Sequence, residues 1–315
     1  MGVNVVNRSL LTLLDWNPEE IRYLLDLSHQ VKKQLRSGKI MQRFRGKTLA
    51  LIFEKRSTRT RSSFETAFGE EGGSSVFLSQ DDIHLGVKES LEDTARVLGR
   101  MFSAIQFRGF KQSVAEKLAE YAGIPVYNGL TDDYHPTQAL ADMMTIEEAF
   151  KGEGSPVVTY VGDGMNNVAV SLMIICSKLG VDFRLAGPKE YFTPDSVLTK
   201  CRAFAAENDS KIEMESDPSK VIPGSDFIYT DVWVSMGEEK EAGKRKKLLE
   251  PYRVNAEMMK MTGKENPVFL HCLPAVKGQE VTEDVFEGPG SLVFDQAENR
   301  KHTIKALMLA TLGLE

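Results

Sequence analysis

Cysteine is scarce: three residues in 315, Cys176, Cys201 and Cys272, with no close pair. An odd, scattered set builds neither a disulfide framework nor a CxxC zinc site. It suits a reducing compartment, so a cytoplasmic location is expected. Histidine is nearly as rare, and His29, His84, His135, His271 and His302 lack metal-ligand spacing, so no metal is expected. Basic residues are not in excess. Lys+Arg number 39 against 45 Asp+Glu, a net charge of -6, which argues against a nucleic-acid partner. Long apolar runs are missing as well. The stretch from Val168 to Cys176 contains Ser171 and falls far short of the ~20 residues a membrane span needs. The opening residues carry no basic segment leading into an apolar core, so neither a membrane partner nor a secretory leader is expected.

What is present is an ordinary globular balance, 42% hydrophobic and 27% charged. The length predicts about two domains of roughly 150 residues. Short β-branched runs alternate with helical stretches. Asn17 caps a helix over 18–37 that opens on Pro18. Strands are read at 48–53, 74–78, 103–107 and in IPVYNG, with helices between them. A long helix from His135 to Lys151 leads to the turn-rich KGEGSP, the best boundary signal in the chain. The alternation then restarts, with strands at 156–162, VDFRLAG, KIEME, 226–231, PVFLHCLP and a last one at 291–296, before a closing helix. The expected fold is α/β: two similar-sized open parallel-sheet αβα domains, 1–150 and 151–296, joined by interdomain helices, with 297–315 packing back on the first.

Ligands of open parallel sheets bind beyond the carboxyl ends of the strands, so the residues just after each strand matter most. After TLALIF comes Glu54-Lys55-Arg56-Ser57-Thr58-Arg59-Thr60-Arg61, running into a helix. Cations crowded at a helix N-terminus oppose its dipole and make sense with an anion between them. The simpler reading is Ser57 as a cap among solvated basic residues. Arg108 follows the third strand, and His135 and Gln138 open the long helix. All three could donate hydrogen bonds to a carbonyl oxygen, although His135 before Pro136 could equally be a helix-start residue. Gly162-Asp163-Gly164-Met165-Asn166-Asn167 begins like a dinucleotide fingerprint but has Asn167 where the third glycine belongs, so no nicotinamide cofactor is expected. Asp231 and Ser235 after DFIYT suit a substrate ammonium, or a plain turn. Cys272 beside His271 could be a nucleophile, a ligand or an inert core thiol.

In order, STRTR at 57–61, FRG at 107–109, HPTQ at 135–138, DVWVSMG at 231–237, HCLP at 271–274 and AENR at 297–300 resemble the aspartate/ornithine transcarbamylase family, on its ornithine side. The resemblance spans nearly the whole chain. It implies an enzyme that needs no cofactor and moves a carbamoyl group from carbamoyl phosphate to L-ornithine. The products would be L-citrulline, a step in arginine metabolism, and phosphate. It implies a homotrimer, with higher assembly left open. Residues carried over are Ser57, Thr58, Arg59 and Thr60 for the phosphate, and Arg108, His135, Gln138 and Arg300 for the carbamoyl group. His84 would reach a neighbouring subunit's site. Asn167, Asp231, Ser235 and Met236 would bind ornithine, and Cys272 and Leu273 would line the reacting centre. Arg108, His135 and Cys272 are the catalytic candidates. Another amine acceptor (putrescine, an acetylated ornithine or aspartate) would keep the fold and change the product.

Overall fold

The computed structural model describes residues 2–39, 41–79, 83, 89–235, 237 and 239–315. Two compact units emerge, one formed by Met1–Met144 with Glu298–Glu315 and the other by Thr145–Ala297. The first unit runs α1 (Pro18–Arg36), β1 (Thr48–Phe53), α2 (Thr58–Gly69), β2 (Ser74–Ser79), α3 (Leu91–Met101), β3 (Ala104–Arg108), α4 (Gln112–Ala122), β4 (Val126–Leu130) and the start of α5 (Pro136–Ala149), within which the division falls. The second runs β5 (Val157–Val161), α6 (Asn167–Lys178), β6 (Asp182–Ala186), α7 (Asp195–Glu207), β7 (Ile212–Glu215), α8 (Pro218–Val221) and β8 (Phe227–Thr230). It continues through α9 (Ala242–Leu249), α10 (Ala256–Met261), β9 (Val268–His271) and α11 (Glu283–Phe286) into α12 (Val293–Leu312). No described helix is long and apolar enough to cross a membrane.

Local chemistry explains most of these limits. Asn17 makes a full capping box with Glu20, and Pro18 occupies the first turn where its missing N–H costs nothing. Ser90 caps α3 through the Asp93 amide, and Gly123 closes α4 in the left-handed region. All named strand pairs are parallel, in the orders β2-β1-β3-β4 and β7-β6-β5-β8-β9. Ala50, Ile52, Ile105, Phe107 and Val126 pack one face of the first sheet against Ala95, Leu98, Ala115 and Leu118 of the helices. This is the open parallel α/β architecture expected from the alternation.

Both orders reverse direction once. The chain moves outward from β1 to β2 and then returns to β3 on the other side of β1. It moves outward from β5 through β6 and β7 and returns to β8 on the other side of β5. Such reversals open a crevice between the carboxyl ends of the two central strands, the favoured ligand site in this architecture. The segments that meet these crevices are 54–61 and 108–109 in the first unit, and 162–167 and 231–235 in the second.

One expected strand is absent. Residues 291–296 pair beside β9 only at Ser291, where Phe269 donates to Gly290 and Leu292 donates to Phe269. The chain is helical from Val293. The β-branched and aromatic content of SLVFDQ is a weak prior that tertiary context overrides. The next donor on the β9 edge, the His271 amide, is satisfied by the side chain of Gln296 at 3.0 Å, so a side chain on the first turn of α12 replaces a further rung.

Candidate functional site

In the first unit, Ser57 is the N-cap of α2 and its Oγ accepts from the Thr60 amide at 3.1 Å. The backbone N–H groups of the first turn therefore point out of the carboxyl end of β1, with Thr58 exposed and Arg59 half-buried there. Thr60 is fully buried, and its Oγ accepts from Arg108 Nη1 at 3.1 Å and from Arg300 Nη2 at 3.0 Å. Both lone pairs of the hydroxyl are then in use, which leaves its own proton to donate. Gly129 makes this approach possible, since a Cβ there would lie 2.4 Å from Gln106 Nε2 and 2.9 Å from Thr60 Cγ2. Arg108 is the last residue of β3 rather than the first after it.

Arg300 ties the group together. Its Nη1 donates to Gln138 Oε1 at 2.7 Å and faces His135 Nε2 at 3.3 Å. Gln138 donates in turn to Asp142 Oδ1 at 2.8 Å, which fixes its amide so that the oxygen meets the guanidinium. Arg300 reaches this place from α12, 240 residues after Thr60. Lys55, buried from the same segment, bonds Asp132 at 2.5 Å and lies over the Phe110 ring.

His135 is only 2% exposed. Burial, and then the charges of Arg300, Arg108 and Arg59, hold its imidazole well below the ordinary histidine value. It is therefore neutral near pH 7 and acts as a hydrogen-bonding group rather than a cation. The same shift affects stability. A histidine whose folded value lies below its unfolded value of about 6.5 binds fewer protons in the folded state. Stability is then complete above about pH 7.5 and falls as the pH drops through 6.5, by up to ~1.4 kcal/mol per pH unit from this group. His135→Gln is expected to unfold in urea with a correspondingly shallower loss between pH 7 and pH 5. Parallel slopes for the two proteins would contradict this.

In the second unit, Asn166 caps α6 by accepting from the Val168 amide, and its Nδ2 lies 3.5 Å from Ser235 Oγ. Asn167 is the first residue of α6. Thus Asn166, whose place beside Asn167 at a helix start suits a cap, also joins the 162–167 turn to the 231–235 segment. Gly164 serves packing rather than a dinucleotide: a Cβ there would meet Leu185 Cδ2 at 2.3 Å and the Tyr191 carbonyl at 2.9 Å. Asp163 makes a buried ion pair with Arg245, whose Nε donates to the Trp233 carbonyl at 2.7 Å. Arg245 could not be singled out from a segment as charged as 238–247.

Asp231, just past β8, is 8% exposed. Its Oδ1 accepts from the Cys272 thiol at 3.0 Å and from the Val232 amide at 2.8 Å. Burial pushes its carboxyl above the ordinary aspartate value, against those two bonds. Asp231, His271 and Cys272 bring donor atoms within 4.8 Å of one another. Both imidazole nitrogens are already committed, Nδ1 to the Leu273 amide at 2.8 Å and Nε2 against Glu280 Oε1 at 3.3 Å. The thiol is likewise committed to the carboxylate, so the cluster reads as a hydrogen-bonded set. Leu273 is left-handed at φ +60 and rests on the core of this unit. Cys176 and Cys201 are buried, and burial raises the Cys201 thiol to about 11. His84 and Met236 lie outside the described residues.

The geometry thus joins Thr60, Arg108, His135, Gln138 and Arg300 directly, with Arg59 within electrostatic reach. Separately, it joins Asp231 to Cys272 and Ser235 to Asn166. Comparison with known proteins divides the chain in the same way. Residues 8–148 match the carbamoyl-P binding domain of aspartate/ornithine carbamoyltransferases, and residues 156–311 match the Asp/Orn binding domain. The chain is 61% identical over 312 residues to an ornithine carbamoyltransferase of Caldanaerobacter subterraneus subsp. tengcongensis, covering 99% of this chain and 100% of that one. A catabolic ornithine carbamoyltransferase of Pseudomonas putida is 46% identical, over 99% of both chains. The ornithine carbamoyltransferase from Pyrococcus furiosus superposes with a TM-score of 0.95 at 46% identity, over 99% of each chain. The resemblance seen in the six motifs therefore holds from end to end, in both units, and the chain belongs to the aspartate/ornithine carbamoyltransferase family.

Proposed function

We propose that this enzyme transfers the carbamoyl group of carbamoyl phosphate to the δ-amine of L-ornithine, giving L-citrulline and phosphate. The observation that carries this reading is the pair of guanidinium groups, Arg108 and Arg300, converging on the buried Thr60 hydroxyl at the reversal point of the first sheet. Fixed cationic donors beside a helix N-terminus suit a phosphoryl group and the carbonyl next to it. The α2 N-terminus, with Ser57, Thr58, Arg59 and Thr60, takes the phosphate. Arg108, His135, Gln138 and Arg300 take the carbamoyl group. His84 is assigned to the same ligand from a neighbouring copy. Residues 1–150 with the closing helix form the carbamoyl-phosphate domain, and residues 151–296 form the ornithine domain.

Attack on the carbamoyl carbon needs a neutral amine, whose unperturbed value lies near 10.4, and burial beside cations lowers it. The tetrahedral intermediate places negative charge on an oxygen, met by the Arg108 guanidinium, the Thr60 proton and the neutral His135. Collapse then expels phosphate onto the helix N-terminus and Arg59, and the proton lost by the attacking amine leaves with the phosphate. Asp231 receives the substrate's α-ammonium, with Asn167, Ser235 and Met236 completing the amino-acid pocket and Leu273 lining the reacting centre.

Cys272 orients the amine rather than attacking. A thiol that donates its proton to a carboxylate is not a thiolate, and a thiolate there would face a like charge. Cys272→Ser is expected to raise the KM for ornithine and lower kcat by about tenfold each while leaving carbamoyl phosphate affinity unchanged. A carbamoyl adduct trapped on Cys272 would overturn direct transfer. The activity itself is tested by a citrulline assay with carbamoyl phosphate and a panel of ornithine, acetylated ornithine, putrescine and aspartate. Ornithine is expected to be preferred. A cytoplasmic homotrimer is proposed for the assembled enzyme, and light scattering on the purified protein reads its mass.

A further inference from the structure

Glu280 is fully buried and lies eight residues after Cys272 in sequence. One carboxyl oxygen, Oε1, accepts from the Val276 amide at 2.5 Å and faces His271 Nε2 at 3.3 Å. The other, Oε2, has no hydrogen-bond partner among the described residues. His271 Nδ1 accepts from the Leu273 amide at 2.8 Å, so the ring proton must sit on Nε2 and point at Glu280. The acceptor at Nδ1 holds Leu273 at φ +60, a region a leucine enters only when its surroundings dictate it. The preceding residue, Cys272, then presents its thiol to Asp231. The outer edge of this assembly is closed by Gln296, which accepts from the His271 amide and donates to the Tyr229 hydroxyl at 3.0 Å.

We propose that Glu280 is a positioning residue for the amino-acid side of the site: it sets the tautomer of His271 and thereby the 271–276 turn that places Cys272 on Asp231. This rests on the assignment of Asp231 and Cys272 to ornithine. Because Oε1 makes both contacts and Oε2 makes none, the role needs an acceptor atom at one point and no negative charge. Glutamine supplies that atom. Methionine, similar in size and apolar, does not.

The test compares Glu280→Gln and Glu280→Met in the full chain with two readouts. The first uses no substrate: the rate of iodoacetamide labelling at Cys272, located by peptide mass. Releasing the thiol from the carboxylate is expected to speed labelling of Glu280→Met about fivefold or more, with Glu280→Gln within about twofold of wild type. The second is steady-state kinetics. Glu280→Met is expected to raise the ornithine KM about tenfold or more with the carbamoyl phosphate KM within about threefold, and Glu280→Gln to restore both. Unchanged labelling in Glu280→Met overturns the proposal, as does an equal loss toward both substrates, which would mark general damage. If Glu280→Met does not fold, His271→Asn, whose amide oxygen replaces Nδ1, is compared with His271→Leu, and the same order is expected or the proposal fails. A wild-type chain that makes no citrulline would instead refute the assigned activity, while the labelling readout would still decide the role of Glu280.

Discussion

Arg300→Met is expected to lose carbamoyl phosphate binding by about three orders of magnitude, because charge-assisted hydrogen bonds contribute about 1.5–3 kcal/mol each and a tenfold change in affinity corresponds to about 1.4 kcal/mol. Arg300 is 2% exposed and holds three of the other proposed ligand groups at once: Thr60 Oγ, Gln138 Oε1 and His135 Nε2. Methionine fills much of the same volume, so the loss falls on polar organisation more than on packing. The measurement is a thermal shift with carbamoyl phosphate or inorganic phosphate. A ligand that binds only the folded state raises stability by RT ln(1 + [L]/Kd). Wild type should show that rise, and the variant should show almost none at the same concentration. An unchanged shift would remove Arg300 from the anion site. A shift lost together with cooperative unfolding would indicate a structural role instead.

The second large effect is expected at Asp231. Asp231→Asn should lower kcat/KM for ornithine by about a hundredfold or more while carbamoyl phosphate affinity stays within about threefold of wild type. The carboxyl is buried at the end of β8, and both of its short contacts fall on Oδ1. Asparagine keeps the size and an acceptor oxygen but removes the charge. Breaking a buried cation–carboxylate pair by neutralising one partner costs several kcal/mol, because the other is left desolvated without compensation. An ornithine KM unchanged in Asp231→Asn would move the ammonium site elsewhere.

How far the sequence could be read depended on how local each signal was. The cap of α1 and the cap of α2 are set by neighbours within a few residues, and both were legible. The cluster at 55–61 was legible for the same reason, since its cations lie within one turn of a helix start. The strand expected at 291–296 was misread because only the edge of β9 and the side chain of Gln296 decide that those residues turn into a helix. Arg245 and Glu280 were missed because nothing adjacent in sequence marks them, and the cap at Asn166 gave no sign of its contact with Ser235. These roles appear only against Trp233, His271 and Ser235.

The sequence by itself determined the α/β alternation, a basic cluster at 55–61 hidden under a net charge of -6, and, through six ordered motifs, the family. Strand order was decided only by the tertiary structure. The alternation implies parallel pairing, but which strands lie side by side is set by contacts between distant residues, which leave no trace in local spacing. Both sheets reverse at the strands that carry the candidate residues. The tertiary structure also decided that Arg300 meets Thr60, and that burial among guanidinium groups makes His135 a neutral hydrogen-bonding group. Hydrogen bonds and charges act over a few ångströms in space, while Thr60 and Arg300, which share one, stand 240 positions apart in the chain.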